Sequence, residues 1–177
     1  NIGPRAYGDY LVLHLILALS LILNFNFGKI IARRLPQESL ENQKILSWEI
    51  LKVSLITSFI IITFLYTFHK ILYSQGFLPE STLHDHIIII LVGIYLSNIF
   101  LTLEGICQGK FLFYSLSFGN LFFHGLSISL PAAILFFDIT FGEAGVNAID
   151  LFKISLLIKT VVLIIIFLNL YLKKVFL

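Results

Sequence analysis

The sequence predicts an all-α fold, a polytopic transmembrane helix bundle of five spans. Three observations lead there. Hydrophobic residues make up 58% of the 177 residues and charged residues only 12%, about half the ~25% charge of soluble domains. The charges are clustered, leaving long uncharged runs of Leu, Ile and Phe between them. The basic residues fall in every second loop, as expected of a chain that crosses lipid repeatedly.

A charge near the bilayer centre costs about 2.5–3.5 kcal/mol on insertion scales, so charged residues set the limits of each span. The first span covers about 9–32, uncharged from Tyr10 to Gly28. The second covers 48–73, with Trp48, Tyr66 and Tyr73 placed for an interfacial aromatic belt. The third covers 85–108, and Gly105 to Gly109 reads as its exit. The fourth, 111–137, is the longest, with Pro131 as a kink or end signal. The fifth, 150–172, keeps its length only by carrying Lys159 into the membrane. The connection from Arg33 to Ser47 is polar, contains Pro36 and suits a short surface helix. Residues 1–177 are read as one membrane domain.

Orientation follows from the loops. Lys29, Arg33, Arg34 and Lys44 lie between the first two spans, Lys110 between the third and fourth, and Lys173 and Lys174 after the fifth. The other two loops carry Glu80, Asp85, Asp138 and Glu143. The positive-inside rule then puts residue 1 outside and residue 177 in the cytoplasm. The chain begins at Asn1 and contains no methionine, which reads as an internal fragment with one helix missing before residue 1.

Several function classes are disfavoured. A net charge of +2 provides no field for nucleic acid. The single cysteine, Cys107, makes no internal disulfide, and no Cys/His spacing fits a metal centre. His84, Asp85 and His86 read as a solvated loop. No nucleophile elbow or P-loop is present, so no cofactor and no enzyme activity are expected.

At the outer entry to the first span, Gly3-Pro4-Arg5-Ala6-Tyr7-Gly8-Asp9-Tyr10 resembles the Gly-Pro-x-x-Tyr-Gly-x-Tyr pattern of polysaccharide flippases. These are the O-antigen and capsule translocases of the multidrug/oligosaccharidyl-lipid/polysaccharide exporter superfamily. The likeness continues in Asn24-Phe25-Asn26-Phe27-Gly28 and the pair Arg33-Arg34, with Asn26 where that family often has an acid. Leu103 to Phe111 is similar to the family's turn between its fourth and fifth helices. The resemblance implies helices two to six of a partial N-terminal lobe in a two-lobed transporter. It also implies a lipopolysaccharide or capsule biosynthesis role: alternating access that flips polyprenyl-pyrophosphate-linked oligosaccharide across the bacterial inner membrane. Membrane lipids, H+ or Na+ as coupling ion and polysaccharide assembly enzymes are the implied partners. The alternatives are a multidrug or peptidoglycan-precursor exporter of that superfamily, and a membrane-embedded O-antigen polymerase or acyltransferase.

Polar side chains inside the spans are candidates either for the substrate cavity or for helix–helix hydrogen bonding. Ser117, Asn120, His124, Ser127 and Pro131 recur every three or four residues and are expected on one face. His14 and Asn24 fall near one face of the first span, and either His14 or His124 would suit proton coupling. Glu104 lies near the inner end of the third span and reads as a partner for basic loop residues. Lys159 lies roughly 9 Å along its helix from the outer end. It is read either as snorkelling to headgroups or as a cavity cation for the pyrophosphate.

Overall fold

A computed structural model describes Leu15 and residues 27–75, 86–136 and 148–176, which contain helices and turns and no strand. The first helix, α1, spans Phe27–Arg34 and leads into a 3-10 turn, Leu35–Gln37, built on Pro36. Ser39 then caps α2, Leu40–Ser74, by accepting the Asn42 N–H at 3.4 Å, with Glu41 in the first turn. A cap oxygen and an acid at the positive end of the helix dipole suit a helix start. The long helix therefore begins at Leu40 and not at 48, and the expected surface helix is its first turns.

The third expected span is α3, Ile87–Gly109, which continues through both glycines read from sequence as its exit. It ends at the second of them, Gly109, in a Schellman motif. Leu112 N–H donates to Cys107 O at 2.8 Å and Phe111 N–H to Gln108 O at 3.1 Å, with Phe111 at φ 54°. The next stretch is three contiguous pieces: α4, Phe113–Gly119, a π segment, Asn120–Leu126, and α5, Ser127–Phe136. Pro131 lies inside α5 and does not end it. The last helix, α6, spans Ala148–Leu172 and closes in a second left-handed turn at Lys174 (φ 53°). Beyond it the chain folds back, and Phe176 packs on Trp48 and Phe167 with ring centroids at 5.9 and 5.6 Å.

Leu40–Ser74, Ile87–Gly109 and Ile149–Leu172 are long and apolar enough to cross a membrane. Of the five spans expected, these are the three that the described residues present at full length. Most of 9–32 lies outside those residues, and 113–136 is divided by the π segment. Exposed Ile56, Phe59, Ile60, Phe64 and Phe68 give α2 a wide apolar surface, which suits lipid contact. The hydroxyls of Thr57, Thr63 and Thr67 on that helix donate to carbonyls four residues back, so these three need no water.

α3 is the central helix, packed by α1, α2, α4 and α6. Close approach to α1 depends on glycine: a Cβ on Gly105 would fall 2.5 Å from Gly28 Cα. Gly28 and Ala32 face Gly105 and Gly109, a small-xxx-small pairing that lets two backbones touch. The buried face of α2 is Ser47, Leu51, Ser54 and Ser58; Leu51 joins the cluster that holds Leu103 of α3, and the hydroxyls of Ser54 and Thr102 share a hydrogen bond at 2.7 Å. Two apolar clusters result. One joins Ile90, Leu91 and Ile94 to Phe152 and Leu156; the other joins Phe100, Leu103 and Ile106 to Phe123, Val162 and Ile166.

Candidate functional site

The buried stripe of α6 runs Leu151, Ser155, Lys159, Val162, Ile166, Leu170, at helical spacings of three and four. Lys159 therefore occupies a core position, between the residues that α6 gives to the two apolar clusters. It is only 4% exposed, so its stem is folded into the bundle, against the snorkelling alternative. Its Nζ stands 5.1 Å from the centroid of the Phe123 ring. No ion pair to Lys159 occurs among the described residues. One turn before it, the fully buried Ser155 hydroxyl has no hydrogen-bond partner among those residues.

The magnitudes are unequal. A cation over an aromatic face contributes about 0.5–2 kcal/mol, while burying an ion costs several kcal/mol even after the protein relaxes. The ring does not offset the burial. Lysine is thus a costly choice at this position, which is the usual mark of an ionisable group retained for use.

Phe123 reaches Lys159 from the π segment. Its ring stacks on Phe100 with centroids 3.9 Å apart and planes 7° from parallel. Gly119 makes room for this, since a Cβ there would fall 2.9 Å from Ile166 Cδ1 and 3.1 Å from Phe100 Cε2. The Ser127 hydroxyl donates to the Phe123 carbonyl. His124 lies edge-on to both rings, at 5.1 Å from Phe100 and 5.2 Å from Phe123. Lys159 and His124 are therefore brought together around Phe123.

The expected polar face of the fourth span is corrected here. Ser117 and His124 are exposed and Asn120 is half-buried, whereas the buried residues are Ser115, Gly119, Phe123, Ser127 and Pro131, four apart throughout. A π segment bonds i to i+5 and winds wider than an α-helix, which keeps a four-residue repeat on one side. Asn120 donates to Glu104 Oε1 at 3.4 Å, joining the π segment to α3, and Gln108 donates to the same oxygen at 3.4 Å. Glu104 is thus held by two amides, not by the basic loop residues expected for it. Asn169 of α6 donates to Ser115 Oγ at 3.1 Å. These amides act as links between helices.

Gly28 lies in the α1–α3 contact, Arg33 is exposed, and Arg34 pairs with Glu38 at 3.5 Å. His14, Asn24, Gly3, Pro4, Tyr7 and Gly8 lie outside the described residues. Sequence reasoning passed over Phe123 and Ser155; the signal for Ser155 was its place one turn before an intramembrane lysine. No family model, curated protein or solved structure matches the chain.

Proposed function

We propose that this chain is part of a multi-pass carrier that flips polyprenyl-pyrophosphate-linked oligosaccharide across the bacterial inner membrane by alternating access. Lys159 is the cation that meets the pyrophosphate. The observation that carries the reading is the burial of Lys159 in the bundle with only an aromatic ring over its ammonium. A flexible, compact charge suits an anionic group that moves through the site. The orphan hydroxyl of Ser155 supplies a hydrogen bond beside it. In the closed arrangement Phe123 covers the ammonium; separation of α6 from the π segment would expose it to a cavity. Such motion needs no bond chemistry, only different affinities in the inward and outward states. His124, beside the same ring, is the proposed proton-coupling group.

The test is export of surface polysaccharide by cells whose only copy of the full-length protein carries Lys159→Ala. Loss of a buried charge partner predicts a drop of roughly tenfold or more, with membrane insertion unchanged and partial recovery in Lys159→Arg. Undiminished export by Lys159→Ala contradicts the reading.

A further inference from the structure

A groove of about 310 Å³ runs between α2 and α6 with α3 as its floor. Beside its foot, across the shared Phe167, lies a second recess of about 190 Å³ walled by Trp48, Phe167, Tyr171 and Phe176. Each of the three helices presents a stripe to this channel, and a lysine lies at the same end of each. On α2 the stripe reads Leu55, Leu51, Trp48, Lys44; on α3 it reads Leu96, Ile99, Leu103, with Lys110 in the turn just past the helix; on α6 it reads Ile164, Phe167, Tyr171, with Lys174 in the closing turn. Spacings of three and four keep the helical residues of each set on one face.

The lining indicates what fits there. α1 docks on α3 through small residues, Gly28 and Ala32 on Gly105 and Gly109, whereas α3 and α6 meet through Leu, Ile and Phe. The groove walls are Leu, Ile and Phe with one Thr160. Such walls suit a hydrocarbon chain, and it is the cationic foot that favours an anionic lipid over a second helix.

The foot is an uncompensated cationic site. Lys44, Lys110 and Lys174 have no ion pair among the described residues. The nearby acids are otherwise engaged or exposed: Glu49 pairs with Lys52 at 2.6 Å, Glu104 accepts from Gln108 and Asn120, and Glu41 is exposed on the first turn of α2. Burial, and then the neighbouring Lys44, lower the Lys110 ammonium from its ordinary value, as expected of cations gathered without an anion. We propose that the groove seats one acyl chain of an anionic phospholipid, whose phosphate is held at the foot by Lys44, Lys110 and Lys174. This lipid is a bound component of the protein, distinct from any transported one, and the inference rests only on the chain's placement in a membrane.

Trp48 is the chain's single tryptophan and stands at the junction of groove and foot, so its fluorescence reads occupancy. The full chain is reconstituted in phosphatidylcholine vesicles, and brominated-acyl phosphatidylglycerol or brominated-acyl phosphatidylcholine is titrated in. Phosphatidylglycerol is expected to quench Trp48 at a mole fraction roughly a hundredfold lower, since each of the three lysines favours an anionic lipid by about 1 kcal/mol. Ile164→Phe fills the groove and leaves every lysine in place; it is expected to bring the two curves together, as is the combined K44Q, K110Q and K174Q variant. Equal quenching of the unaltered protein by both lipids overturns the proposal, and that comparison needs no variant. A phosphatidylglycerol preference that survives Ile164→Phe overturns it as well, placing the lipid on the basic surface alone. Shielding of Trp48 from both lipids in a cross-linked dimer also overturns it and assigns the groove to a second copy.

Discussion

Lys153 and Lys159 stand on the same helix, less than two turns apart, and meet opposite surroundings. Lys153 is half exposed and pairs with Asp150 at 3.0 Å, three residues back. Lys159 is buried, faces a phenyl ring and has no ion pair among the described residues. The first arrangement is an ordinary end-of-helix pair that contributes little either way. The second costs stability, and nothing in the helix compels it, since Val162, Leu163 and Ile166 continue the same buried stripe with aliphatic residues. The difference shows that residue type alone did not decide which lysine matters; position in the helical repeat did.

Two substitutions sharpen that contrast. The larger effect belongs to Phe123→Ala, which empties a fully buried position, breaks the stack on Phe100 and uncovers the Lys159 ammonium. A loss of about 3–5 kcal/mol is expected, read as a lowered unfolding midpoint in lipid bicelles. The smaller belongs to Asp150→Asn, which removes the partner of Lys153. With both side chains about half exposed, its expected cost is about 0–1 kcal/mol. Equal costs for the two substitutions would erase the distinction between the sites.

Much of the helical layout was legible because charge is excluded from lipid. The limits of α3 and α6 agree with the charged residues that bracket them, 85–108 against Ile87–Gly109 and 150–172 against Ala148–Leu172. The start of α2 was missed because hydropathy is blind to a capped amphipathic turn. Ser39 and Glu41 carried that information, and the first hydrophobic run did not. The glycines of α3 carry a second role that composition does not announce. Gly105 and Gly109 lie in its last turns, as expected of an exit, and are also the surface on which α1 rests.

The candidate site was half legible. Lys159 was singled out by its depth, and Asn120 by its place among apolar residues. The face of the fourth span was misassigned because an α-helical wheel was applied across a π segment, which turned His124 outward and Phe123 inward. No periodic pattern in the sequence announces that change of winding. The Schellman turn at Phe111 was equally hidden, since a phenylalanine occupies the left-handed position where glycine is the usual signal.

The most direct test replaces Lys159 by methionine, which keeps length and volume and removes the charge, and measures bundle stability and polysaccharide export on the same variant. A lysine retained for transport predicts a bundle more stable by about 1–4 kcal/mol that no longer exports. A Lys159→Met protein that is less stable yet exports as before would contradict the account, because the lysine would then be a structural residue and not the cation of a carrier.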